Sequence, residues 1–205
     1  MSLNIKNAIK NFKKVKTGTF HQQPPVVKAP FQNDIFMQQL LSQKVGKANE
    51  PAKTEIFTDL TNFSNRIVTQ IHDLGRENEL NPPKHRAFNP WGQRIDKLTL
   101  SNAWYKLKGI SAEEGLIAIG YEREHGQFSR IHQFAKLSIF GPHSGLFSCP
   151  LAMTDGAAHV FETLGETDES KCFGAFNHLT SRVKVWQRAF LKFFSKIFFR
   201  FSFAQ

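Results

Sequence analysis

The sequence predicts an all-α fold, a helical bundle over residues 34–182, flanked by an extended basic arm over 1–33 and an atypical basic, aromatic helix over 183–205. Three observations support this. Apolar residues recur at steps of three and four through six or seven segments, the spacing that lines one side of a helix. No segment alternates convincingly as a strand does. The composition, 40% apolar and 21% charged with no long uncharged apolar run, suits a soluble core-forming chain and not a membrane-embedded or disordered one.

The net charge of +10 is unevenly placed. Residues 1–33 carry six lysines and no acid, the last 23 residues carry five bases and no acid, and the middle sets its 16 bases against all 17 acids. A basic protein invites nucleic acid or an anionic membrane as partner, but here the charge belongs to the two ends, so nucleic acid is not expected. The opening MSLNIKNAIKNFKKVK has Ile5, Ile9 and Phe12 roughly on one side. It is read as a solvated basic arm, with a mitochondrial presequence as the alternative. Cys149 and Cys172 follow no metal or redox spacing, which places the chain in a reducing, intracellular compartment, cytoplasmic or mitochondrial.

Residues 17–33 contain three prolines and no helical period, as expected of an arm laid over a surface. Asn33 or Asp34 then caps IFMQQLLSQKV, with Phe36, Leu40 and Leu41 on one side. Pro51 opens a longer helix in which Ile56, Leu60, Phe63, Ile67, Ile71 and Leu74 recur to about Glu79, where Asn-Pro-Pro halts it. From 81 to 98 the three prolines and mixed charge predict an ordered loop anchored by Trp91. Ser101 caps NAWYKLKGISAEEGL, which stops near Gly115. SRIHQFAKLSIF is an apolar helix ended by Gly141-Pro142; Ser144 or Ser148 begins LFSCPLAMTDGAAHVFETLG, ended by Gly165; Thr167 or Asp168 caps ESKCFGAFNHL.

Catalytic constellations are absent at the level of spacing. Asp155 and His159 sit four apart, which suits a ligand pair or an acid–base couple and equally an ordinary helical pair. Glu113, Glu114, Glu122 and Glu124 read as solvated carboxylates near helix ends, and His125, His132 and His143 have no partner at ligand spacing, so no metal site is expected. Cys149, Ala152, Met153 and Gly156 fall at i, i+3, i+4 and i+7, one helix face of unusually low bulk. Such a face either packs closely on another helix or leaves a groove for an apolar chain, with Met153 as its adaptable wall.

Together LGRENELNPP, NPWGQRIDKL, SAEEGLIAIGYE, CPLAMTDGAA and AFNHLTSR resemble the N-terminal part of the acyl-CoA dehydrogenase superfamily, in its AidB-like, family-member-11-like branch. The resemblance covers roughly 17–36 and 56–182, and implies an N-terminal helical domain followed in intact members by a β-domain and a C-terminal four-helix domain. FAD lies between those two, and a carboxylate of the last is the base. It also implies that the helix matching CPLAMTDGAA borders the acyl-chain cavity, with Cys149, Ala152, Met153 and Gly156 as the substrate-binding positions for fatty acyl-CoA. After Arg182 the likeness stops, so no FAD and no dehydrogenase activity are expected of this chain alone; homologous full-length subunits are expected partners.

The ending VKVWQRAFLKFFSKIFFRFSFAQ has Lys184, Arg188, Lys192, Lys196 and Arg200 at four-residue steps and seven phenylalanines. As a helix it would lie on an anionic membrane surface, its charges forbidding a span. The reading preferred here is a frameshifted or intron-derived ending. The rival function is a binding protein that uses its basic ends on membrane or nucleic acid.

Overall fold

The computed structural model describes residues 25–165 and 169–183. The presequence-like start, the cap at Thr167 or Asp168 and the tail from Lys184 lie outside the described residues. The described elements are helices α1 (Pro30–Asn33), α2 (Ile35–Val45) and α3 (Glu50–Arg66), a π-helical stretch Ile67–Ile71, and α4 (His72–Leu80). Strands β1 (Lys84–Phe88) and β2 (Arg94–Thr99) come next, then α5 (Asn102–Glu113), α6 (Ala118–Glu122), α7 (Ser129–Phe140), α8 (Ser148–Gly165) and α9 (Glu169–Leu179). The chain is thus mostly helical, with one small two-stranded sheet among the described residues. No described helix is long and apolar enough to cross a membrane.

The central rod is α3, the π stretch and α4 in one continuous run. Its predicted stripe of Ile56, Leu60, Phe63, Ile67, Ile71 and Leu74 is buried throughout, each side chain contributing about 1.5–3 kcal/mol by leaving water. The π turn does not break that stripe; it inserts extra width between Ile67 and Ile71, both of which stay in the core. Asn49 caps the start by accepting from Ala52 N, and Pro51 occupies the first turn, where its missing N–H costs nothing. Around the rod close Trp104, Leu107 and Ile110 of α5, Ala135, Ile139 and Phe140 of α7, and Phe147 and Leu151 at the start of α8.

Four expectations are corrected. The last residues of the arm are helical: Phe31 of α1 is buried, its N–H donates to Ser64 Oγ at 2.9 Å, and its ring meets Phe57 edge-on, so an aromatic anchor overrode the Pro-rich signal. In α2, Asp34 caps as expected, but Leu41 and Val45 turn inward while Phe36 and Leu40 face solvent. Residues 84–99 are an antiparallel hairpin and not a loop, with Arg86 opposite Lys97 and an irregularity between Arg86 and Phe88. Trp91 anchors nothing: it sits at the hairpin tip, 84% exposed. The hairpin escaped notice because Asn89 builds its turn through side-chain bonds and not through a Gly-containing two-residue loop; its Oδ1 accepts from Trp91 N and Gln93 N.

Candidate functional site

Helix α8 has two unlike faces. Its inner face is clamped: Leu151 and Ala158 are buried, and between them Asp155 gathers three partners. Its backbone oxygen accepts from Tyr121 Oη at 2.7 Å, and its carboxylate accepts from Arg130 at 2.8 Å and from Gln133 Nε2 at 3.2 Å. The Arg130 guanidinium also lies over the Tyr121 ring, 4.3 Å from its centroid. Burial opposes the charge on Arg130, but the bonds to Tyr121 and Asp155 outweigh it and hold the guanidinium above its ordinary value. Asp155 is therefore a fastener that orients the helix. It has no part with His159, which points to solvent beside Glu162, so the i,i+4 couple is not made.

The outer face is open. Cys149, Ala152 and Gly156 are exposed, Met153 is 39% exposed, and a Cβ built on Gly156 would meet nothing within 4 Å. Among the described residues no helix covers the low-bulk face, so its small side chains are open to solvent. Val160 and Leu164 follow at four-residue steps and are exposed, as are Leu146 before the helix and Phe173 on α9. Sequence reasoning missed these four, although the step from Gly156 to Val160 to Leu164 was the signal that would have found two of them. From Cys149 to Leu164 the strip is about 22 Å long at 1.5 Å per residue.

The residues read as solvated or unpartnered meet elsewhere. Lys136 Nζ, buried in α7, lies 2.8 Å from Asp59 and 2.8 Å from Glu114, and Arg66 binds Glu114 at 2.6 Å and Glu113 at 2.8 Å. His132 Nε2 is 2.7 Å from Asp59, and His72 and His143 bring their Nδ1 atoms to 3.1 Å. Burial works against an ionised Asp59, yet the His132 hydrogen bond and the Lys136 charge prevail and lower its pKa to about 2. Beside this cluster is a hollow of about 210 Å³ bordered by Glu55, Glu122, Glu124, His125, His132 and Arg182. Among the described residues no three metal-ligating side chains converge.

The class is that of a mostly helical domain in which α8 has one fastened face and one open face of low bulk. Residues 22–174 match the model of the adaptive response protein AidB N-terminal domain, and the chain belongs to that family. Acyl-CoA dehydrogenase family member 11 of Caenorhabditis elegans is 42% identical over 175 residues, which are 83% of this chain and 28% of that protein. The crystal structure of C. elegans ACDH-11 in complex with C11-CoA superposes with a TM-score of 0.78 at 37% identity, over 90% of this chain and 30% of that one. The apo form of Bd2924 gives 0.73 at 36% identity, over 80% and 32%. The chain thus spans about a third of the length of the relatives it matches.

Family membership raises FAD, and the hollow beside Asp59 does not fit it. The hollow beside Asp59 is smaller than the about 300–1,000 Å³ of ordinary cofactor clefts and is walled by charges where an isoalloxazine ring needs apolar contact.

Proposed function

We propose that this chain supplies one wall of a fatty-acyl binding groove, with the acyl chain of an acyl-CoA lying along Cys149, Ala152, Met153 and Gly156 of α8. One observation carries the reading: these small side chains are exposed along a helix that is otherwise rigidly clamped, in a chain similar to one solved with C11-CoA. Small residues leave room for a methylene chain to approach the backbone, and Met153 adapts to its shape. Removal of hydrogens from adjacent carbons needs a base and a flavin ring on opposite sides of them. Neither role is assigned to a described residue; their part is to bind the chain and to shed water from it.

Binding to a single wall is weak, because far less ligand surface is covered than in a closed pocket. Calorimetric titration of the 205-residue chain with a long-chain acyl-CoA tests the reading. A Cβ at Gly156 meets nothing within 4 Å, so Gly156→Trp can fill the strip, and affinity should fall about tenfold or more without a loss of melting temperature. Undiminished affinity in that variant removes α8 as the acyl wall.

A further inference from the structure

The hollow beside Asp59 is lined by a buried histidine with one nitrogen unaccounted for. His132 of α7 is 4% exposed, and its Nε2 lies 2.7 Å from Asp59 Oδ2. Asp59, with its pKa lowered to about 2, is a carboxylate and can only accept, so Nε2 carries the hydrogen. In the neutral ring Nδ1 is then a bare acceptor, and it is a buried atom without a hydrogen-bond partner. A polar atom buried unpaired is costly, and a carboxylate on the far nitrogen makes the near one more basic.

The walls of the hollow are short of positive charge. Glu55, Asp59, Glu122 and Glu124 line it against two cations, Lys136 and Arg182, and both cations are engaged. Lys136 is shared between Asp59 and Glu114, and Arg182 donates to the two oxygens of Glu122 at 2.7 and 2.6 Å. Glu55 lies 3.8 Å from Nδ1 of His125, a ring that answers its charge only when protonated. His125 is itself held by its N–H, which donates to Ser129 Oγ at 3.0 Å, and its ring stands 5.6 Å from that of His132 between centroids. The fold already keeps one ammonium in this wall, since Lys136 Nζ sits between carboxylates and 4.9 Å from the centroid of the Phe63 ring. The hollow of about 210 Å³ has room for about seven waters at about 30 Å³ each, so a lone bridging water fills little of it and leaves its charge unanswered.

We propose that this hollow binds a primary alkylammonium group, which donates one N–H to His132 Nδ1 and has its charge answered by Glu55 and Glu124. An ammonium has three donors and no acceptor, the complement of an unpaired acceptor set among unbalanced carboxylates. A free amine and a lysine side chain of another protein share that chemistry. The site is separate from the open face of α8 and does not depend on the acyl-wall reading.

Titration of the full chain with butylammonium, followed by imidazole nitrogen NMR at a pH above the ordinary histidine range, tests it. Binding should saturate, and the His132 Nδ1 resonance, assigned by its loss in His132→Gln, should shift. Tetramethylammonium has the same charge and no N–H, and should bind about tenfold or more weakly. E55Q/E124Q keeps the shape of two exposed side chains and removes their charge; it should weaken butylammonium about tenfold and leave the melting temperature unchanged. Equal affinity for the two ammonium ions overturns the proposal, because diffuse attraction then accounts for the binding. Undiminished affinity in E55Q/E124Q overturns it too, as does Zn²⁺ moving both imidazoles while butylammonium moves neither. Tighter binding of the free diamine putrescine than of acetyl-lysine amide supports it with a free amine as the source, and the reverse order supports it with a protein lysine.

Discussion

Lys136 and Asp59 form a bidentate ion pair across the bundle: the ammonium of α7 lies 3.0 and 2.8 Å from the two carboxylate oxygens of α3, and the lysine side chain is 2% exposed. A lysine this deep persists only when its charge is answered, and Glu114 provides the second answer. The pair ties together the elements that frame α6 and Arg182. Asp59→Asn should therefore cost about 2–4 kcal/mol in denaturant unfolding. That is less than for a wholly buried pair, because the Asp59 side chain is 36% exposed and Glu114 remains. Lys136→Met, which removes the charge and keeps the volume, should cost less than Asp59→Asn; the reverse order would contradict the ion-pair account.

The same carboxylate sets an acid limit. Its folded pKa of about 2 lies below the unfolded 3.8, so the unfolded chain binds the proton more readily. The stabilisation is full above about pH 4 and is lost as pH falls toward about 2. Unfolding free energy measured from pH 5 downward should decline in the native chain and decline less steeply in Asp59→Asn.

A second pH effect comes from His143. Burial and the nearby His72 both lower its pKa from 6.5, so protonation favours the unfolded chain. Stability should be complete above pH 6.5 and decrease as pH drops through that value toward the folded pKa. His143→Gln should flatten the melting temperature between about pH 7.5 and 5.5; an unchanged slope would place the titration elsewhere.

Two glycines should respond oppositely to alanine. A Cβ on Gly75 would stand 2.0 Å from the backbone oxygen of His143, where α4 meets the turn before α8. Gly75→Ala must push two backbones apart and should cost about 3 kcal/mol. Gly156→Ala adds a methyl in open space within a helix and should stabilise by about 0.5–1 kcal/mol. Thermal melts of both variants check the pair together.

Cys149 is an exposed thiol at the start of the low-bulk strip of α8. In a Cys172→Ser background, alkylation of Cys149 by a maleimide should slow severalfold when a long-chain acyl-CoA is bound. An unchanged rate under saturating ligand would place the acyl chain off this face.

The local signals in this chain were strong where they agreed with the core. The stripe from Ile56 to Leu74 and the caps at Asp34 and Ser101 could be read directly, because periodicity and capping are short-range properties. The low-bulk face of α8 was legible as a pattern, but whether it faced a neighbour or solvent was not, since that depends on which helix packs where. Partners of the charged residues were invisible for the same reason: Asp59 and Lys136 are 77 positions apart, and no spacing rule joins them.

What the sequence determined alone was the helical character, the extent of the main rod and the residue types along α8, all consequences of which side chains recur at 3.6-residue intervals. The tertiary structure decided that the hairpin exists, that Phe31 anchors the arm, and that Asp155 fastens α8 while Gly156 is left open. These are outcomes of long-range contact, in which burial and charge pairing between distant segments outweigh local preference.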